Sequence, residues 1–198
     1  MIIGFSGKME AGKDTAAAML SYILLDMKRF RTSYFDYVSW SKEHEPKYIT
    51  PFAKSLKRMV SILLHCEEKN LYDQLFKKRE IEWLEGSPTI RKILQDVGNA
   101  LREKIDPDIW VKILFNRIQY QPHVFISDVR YKNEADAIKA KGGIIIRINR
   151  PGEHDNSHIS ETDLDDYNKF DYVVENDRSL EWLFIQMKKI AEDLQYDE

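Results

Sequence analysis

Apolar positions along this chain switch between a strand-like and a helix-like spacing. Ile2-Ile3-Gly4-Phe5 is a short apolar run that reads as a buried strand. Ala16, Met19, Leu20, Ile23, Leu24 and Met27 then recur three and four residues apart, as on one face of an amphipathic helix. Residues 31–47 mix aromatics with charges and read as an irregular insertion, after which Tyr48-Ile49, ended by Pro51, reads as a second strand. From residue 51 to residue 119 the spacing is almost wholly helical. Phe52, Leu56, Met59, Val60, Leu63 and Leu64 make one stripe, and Ile90, Ile93, Leu94, Val97, Leu101 and Ile105 another. Ser87-Pro88 predicts the start of the second of these helices, and Asp106-Pro107 the start of a third through Trp110, Leu114 and Ile118. Strands return at 124–126, 144–148 and 172–174. A short helix over 134–141 lies among them, and an amphipathic helix led by Ser179 follows. Such alternation predicts an α/β fold, a parallel five-stranded sheet flanked by helices. The 198 residues suit one domain: a core over 1–50 and 120–198, a helical insertion over about 51–119, and a polar loop over about 149–168.

The junction of the first strand and first helix carries the clearest chemistry. Gly7-Lys8-Met9-Glu10-Ala11-Gly12-Lys13 has the GxxxxGK spacing of a phosphate-binding loop. Its glycines let successive N–H groups face an anion, the helix start adds a positive dipole end, and Lys13 supplies a charge for the β- and γ-phosphates. Asp14 stands where Ser or Thr is usual, with Thr15 next; as a carboxylate it suits a hard cation. There is no G-x-G-x-x-G, which argues against a dinucleotide-binding fold. Ligands of open parallel sheets gather at the carboxyl ends of the strands, which puts Asp128, Arg130 and Arg150 on the same rim as the loop. Lys54 and Arg91, in the helical insertion, suit a second phosphate. Two phosphate sites point to a kinase more than to a hydrolase. His154 and His158 have the spacing of a metal pair but lack a third ligand, so His158 is read as ordering the loop around it.

Composition narrows the field. A formal charge of −3 argues against a protein that coats nucleic acid, and the basic runs Lys57-Arg58 and Lys77-Lys78-Arg79 lack interleaved aromatics. Cys66 is the only cysteine, so neither an internal disulfide nor a cysteine metal site is expected, and it reads as a small buried apolar residue. No apolar run approaches membrane-spanning length. A cytoplasmic enzyme is the expectation, with no nucleic-acid or membrane partner; a homodimer is left open.

Several segments resemble the phage-type deoxynucleoside monophosphate kinases. Ser6-Gly7 through Gly12-Lys13-Asp14-Thr15 resembles their SGxxxSGKDT loop, with Ala11 in place of the second Ser and with Met9 and Glu10 where some relatives are basic. Pro51-Phe52-Ala53-Lys54 resembles their A-x-P-x-K segment. Arg91-Lys92-Ile93-Leu94-Gln95 with Gly98 resembles R-R-x-L-Q-x-x-G, and Asp108-Ile109-Trp110-Val111-Lys112 a YWVK-like stretch. Asp128-Val129-Arg130 with Glu134 resembles D-x-R-x-x-x-E. Arg150-Pro151-Gly152 and His158-Ile159-Ser160-Glu161 resemble RPG and H-I-T-E. The resemblance implies a P-loop fold of the nucleoside monophosphate kinase kind, with ATP and Mg²⁺ as cofactors, working in the host-cell cytoplasm if phage-encoded. It assigns Gly12, Lys13, Asp14 and Thr15 to the ATP phosphates and metal. It assigns Lys54, Arg91, Gly98, Trp110, Asp128, Arg130 and Glu134 to a deoxynucleoside monophosphate substrate. Catalysis falls to Lys13, Arg130 and Asp128, and the loop with Arg150 and His158 becomes a lid. The alternatives are a kinase of another small phosphorylated acceptor, such as phosphomevalonate, and a nucleotide-binding regulatory module without turnover.

Overall fold

Four parallel strands, β1 (Ile2–Ser6), β2 (Val124–Val129), β3 (Ile144–Asn149) and β4 (Tyr172–Glu175), form a sheet in the order β2-β1-β3-β4 in the computed structural model. The structure describes residues 1–26, 33–45, 48–152 and 158–196. Because β1 is paired on both edges, its apolar run is enclosed, and Ile3 and Phe5 are fully buried. Ser6, at the carboxyl end of β1, lies opposite Val129 of β2 and Arg147 of β3, so three strand ends meet where the glycine loop begins.

The helices are α1 (Lys13–Ser21), α2 (Tyr34–Glu43), α3 (Lys54–Leu63), α4 (Ile90–Lys104), α5 (Ile109–Ile118), α6 (Lys132–Ala140), α7 (Ile159–Thr162) and α8 (Leu180–Tyr196). Two compact units result, Met1–Pro51 with Tyr120–Glu198, and Phe52–Gln119. In the first unit Ala16, Ala17, Met19 and Leu20 of α1 and Leu183, Phe184 and Met187 of α8 join the sheet residues Phe5, Phe125, Ile146 and Ile148 in one buried cluster. The stripe expected on α1 continues through a π-helical turn, Tyr22–Asp26; Met27 lies outside the described residues. In the second unit Val60, Leu71, Ile90 and Leu94 form a separate core, with Cys66 packed half-buried at its margin. That burial raises the Cys66 thiol pKa. No helix among the described residues is long and apolar enough to cross a membrane.

Three expectations are corrected. Among the described residues the sheet has four strands rather than five. Ile49 makes only one parallel bridge to Phe125, held by Phe125 N–H to Tyr48 O (3.0 Å) and Thr50 N–H to Phe125 O (2.9 Å). Pro51, with no N–H to donate, ends the ladder at once. Residues 34–43, expected to be irregular, are helical. The Ser33 hydroxyl accepts from Asp36 N–H and the Asp36 carboxylate accepts from Ser33 N–H, a capping box, while Tyr34 and Tyr37 pack against Phe184 and Trp40 against Tyr22. Helix α4 is capped by Thr89, whose hydroxyl accepts from Lys92 N–H at 3.2 Å, not by Ser87. Glu80 and Thr89 form an antiparallel bridge and Pro88 O accepts from Ile81 N–H, which holds Pro88 extended ahead of the helix.

Candidate active site

The glycine loop is walled by distant parts of the first unit. Gly12 has φ 96°, and a Cβ there would lie 2.6 Å from Asn176 Nδ2, which itself donates to Ala11 O at 2.8 Å. A Cβ on Gly7 would stand 2.4 Å from the Ile148 carbonyl oxygen. Both glycines are therefore required by close approach, and at Gly12 also by left-handed backbone. Glu10, a non-glycine residue at φ 63°, is a second left-handed position, and its carbonyl accepts from Arg150 Nη1 at 3.3 Å. Gly12, the N-cap of α1, has no side chain to cap the helix, so the start of α1 suits an anion.

Lys13 is buried and turned back into the loop. Its Nζ donates to Gly7 O (2.8 Å) and Lys8 O (2.6 Å). Its pKa is pushed down from 10.5 to about 7, chiefly by burial and next by the charge of Arg130, with Arg147 adding slightly and Asp14 and Asp128 pulling the other way. Arg130, Asp128, Asp14 and Arg147 are thus all within electrostatic reach of the lysine. Asp14 is exposed on the first turn of α1, and Thr15 beside it is half-buried. Asp128 is half-buried near the end of β2, and Arg130 follows that strand.

Glu134 is buried on the first turn of α6, where Oε2 accepts from Arg130 N–H (2.9 Å) and Tyr131 N–H (3.2 Å). It fixes the backbone that carries Arg130. Residues 158–167 then bring acids to this rim. Glu161 pairs with Arg130 Nη1 and also accepts from Met9 N–H at 2.8 Å, while the Glu161 carbonyl accepts from Lys8 Nζ. Asp165 pairs with Lys8 (2.6 Å) and Arg147 (3.3 Å), and Asp163 accepts from Lys132 N–H (2.7 Å). The His158 ring accepts from Ser160 N–H, so it starts α7; His154 lies outside the described residues.

Sequence reasoning singled out neither Arg147 nor Asn176. Arg147 donates to the Ser6 hydroxyl (3.1 Å) and to Asn149 Oδ1 (3.3 Å), and a lone arginine in the apolar run Ile144–Asn149 was its available signal. Asn176 is the residue just past β4, a position visible only once the strand's end is known.

The other expected site residues lie in the second unit. Lys54 is exposed at the first position of α3, and Arg91 Nη2 donates to Gln74 Oε1 at 2.9 Å. Trp110 is buried, its indole N–H donating to Gly98 O at 3.1 Å, and a Cβ on Gly98 would lie 3.2 Å from Leu56 Cδ2. This pair joins α5 to α4.

Among the described residues, no group of three or more His, Cys, Asp or Glu is placed to hold a metal by itself. A cation shared with nucleotide phosphates needs only one or two protein oxygens, and the exposed Asp14 carboxylate with the Thr15 hydroxyl fits that donor set.

A glycine loop with a buried lysine at the carboxyl edge of a parallel sheet, beside an arginine and an aspartate, fits the pattern of a P-loop phosphotransferase. A sequence model of the family Deoxynucleotide monophosphate kinase matches residues 52–187. A protein of Acanthamoeba polyphaga mimivirus, provisionally named a deoxynucleotide monophosphate kinase, is 31% identical over 204 residues, spanning 94% of each chain. The deoxynucleotide monophosphate kinase of Enterobacteria phage T4 is 32% identical over 114 residues, 53% of this chain and 46% of its own. That of Escherichia phage RB69 is 31% identical over 109 residues, 52% of this chain and 44% of its own. The chain belongs to the deoxynucleotide monophosphate kinase family.

Proposed function

We propose that this enzyme transfers the γ-phosphate of ATP to a deoxynucleoside 5′-monophosphate, giving the diphosphate and ADP. The observation that carries the reading is the gathering of Lys13, Arg130 and Arg147 around one glycine loop at the sheet's carboxyl edge. Phosphoryl transfer needs positioned charge more than covalent chemistry, and this cluster supplies it. The donor phosphates lie against the loop amides, the start of α1 and Lys13. The acceptor phosphate is gripped by Arg130, with Asp128 steadying the guanidinium and Glu134 fixing the backbone beneath it. One acceptor oxygen attacks the γ-phosphorus as the bond to the β–γ bridging oxygen breaks. The acceptor dianion is already a nucleophile, so no general base is required. Asp14 and Thr15 would hold Mg²⁺, which would supply further charge neutralisation.

The resemblance carries Lys54 and Arg91 to the acceptor nucleotide as well. Gly98 and Trp110, bonded to each other, act on it by setting the positions of α4 and α5. The loop over about 149–168 is the lid; Arg150 reaches Glu10 O and Glu161 reaches Met9 N–H, so it already touches the donor loop from two sides.

The test is ADP release measured across a panel of deoxy- and ribonucleoside monophosphates, on the parent and on Arg130→Lys. Lysine cannot reproduce the two-pronged arginine grip. The variant is expected to raise KM for the acceptor and lower kcat together, with ATP affinity within a few-fold of the parent. No acceptor-dependent ADP release from the parent with any monophosphate overturns the assignment.

A further inference from the structure

Glu161 binds the groups that a phosphate should bind. Its Oε2 accepts from Met9 N–H at 2.8 Å, and Met9 lies inside the glycine loop. Its Oε1 pairs with Arg130, the cation at the end of β2. One carboxylate therefore spans a donor-loop amide and the acceptor arginine, with its two oxygens set apart much as two oxygens of a phosphate are. The arrangement is well enclosed: the Glu161 side chain retains 8% of its surface and that of Arg130 29%. It is also anchored from behind. The Glu161 carbonyl accepts from Lys8 Nζ, and Asp165, four residues on and past the end of α7, takes Lys8 and Arg147. Acids of residues 158–167 thus answer Lys8, Arg130 and Arg147 around the loop, as well as Lys132 at the start of α6 through Asp166.

We propose that Glu161 is a stand-in for phosphate: it occupies Met9 N–H and Arg130 in the nucleotide-free enzyme and must give them up when a polyphosphate binds. The proposal rests on reading the loop as the donor site. Its chemical sense is direct. A carboxylate kept beside a bound γ-phosphate would repel it, so the two compete for the same donors. The competition sets nucleotide affinity, because binding is weakened by the fraction of enzyme in which the stand-in is seated.

Glu161→Gln is the informative variant, because the amide oxygen can still accept from Met9 N–H while the charge that holds Arg130 is gone. Inorganic tripolyphosphate and ADP are titrated calorimetrically into the parent, Glu161→Gln, Glu161→Ala and Asp136→Asn, each first shown to melt cooperatively. Asp136 pairs with Lys169 and Tyr167, away from the loop, and its variant removes the same unit of charge. Both Glu161 variants are expected to bind tripolyphosphate about threefold to tenfold tighter than the parent, the scale of one partly exposed ion pair. The gain should shrink at high salt, and Asp136→Asn should bind like the parent. Equal or weaker binding by both Glu161 variants overturns the proposal and makes Glu161 a buttress of the loop. An equal gain in Asp136→Asn overturns it in favour of net charge. If the parent binds neither probe, the donor-site reading itself fails and takes this inference with it.

Discussion

At the scale of single residues, Lys13 carries the most consequence, because burial and neighbouring arginines leave its proton loosely held. The unfolded chain binds that proton up to about pH 10.5, whereas the folded, ligand-free enzyme releases it from about pH 7 upward. The folded state therefore holds fewer protons than the unfolded state across that window. This group's contribution to stability rises with pH through it, and its full penalty is present below about pH 7. A bound polyphosphate supplies the opposite charge and restores the proton. Nucleotide binding near pH 8.5 is thus expected to take up as much as about one proton, with affinity falling as pH rises. Calorimetry in buffers of different ionisation enthalpy reads the uptake directly. Lys13→Met should show none, and should lower kcat/KM on the order of 10²-fold, the scale of removing one transition-state charge contact. Uptake that persists in the variant would move the titration to another group.

At the scale of elements, the loop was legible because its punctuation is local: glycines at a fixed spacing between an apolar run and a helical stripe. Helix α2 was not, although Ser33 and Asp36 stand in capping-box spacing, because its inward face is aromatic and broken by charges. Tyr48 and Ile49 favour extended backbone and so read as a strand, while the proline two residues after Ile49 limits them to one bridge. Trp110 shows the same limit at a site residue, since a tryptophan's spacing does not say whether it faces a ligand or a carbonyl. Here the indole N–H meets Gly98 O. Trp110→Phe removes that donor and leaves the carbonyl without its indole partner, so a loss of about 1–3 kcal/mol is expected in denaturant unfolding. ATP affinity should be unchanged, and a drop in it would mean that the α4–α5 joint bears on the donor site.

At the scale of the whole molecule, the parallel pairing of the strands was legible and the partners of the site were not. Alternation of strands and helices announces a parallel sheet, but the pairing of Glu161 with Arg130, or of Asn176 with Ala11, depends on which strand ends come together. A ligand that binds only the assembled site stabilises all of it. ATP at about 100 times its Kd should add roughly 2.7 kcal/mol, an increase in Tm of several degrees for a chain of this size, and Lys13→Met should abolish most of the increase. The walls of the loop have one more consequence, which concerns time. The glycine loop leaves a ribosome well before Ile148, Glu161 and Asn176, which shape it. At roughly 5–20 residues per second the wait lasts on the order of ten seconds. During that interval a nascent chain carries the whole nucleotide-binding signature and no site to go with it. Cellular ATP can therefore steady the finished enzyme but cannot guide its early assembly.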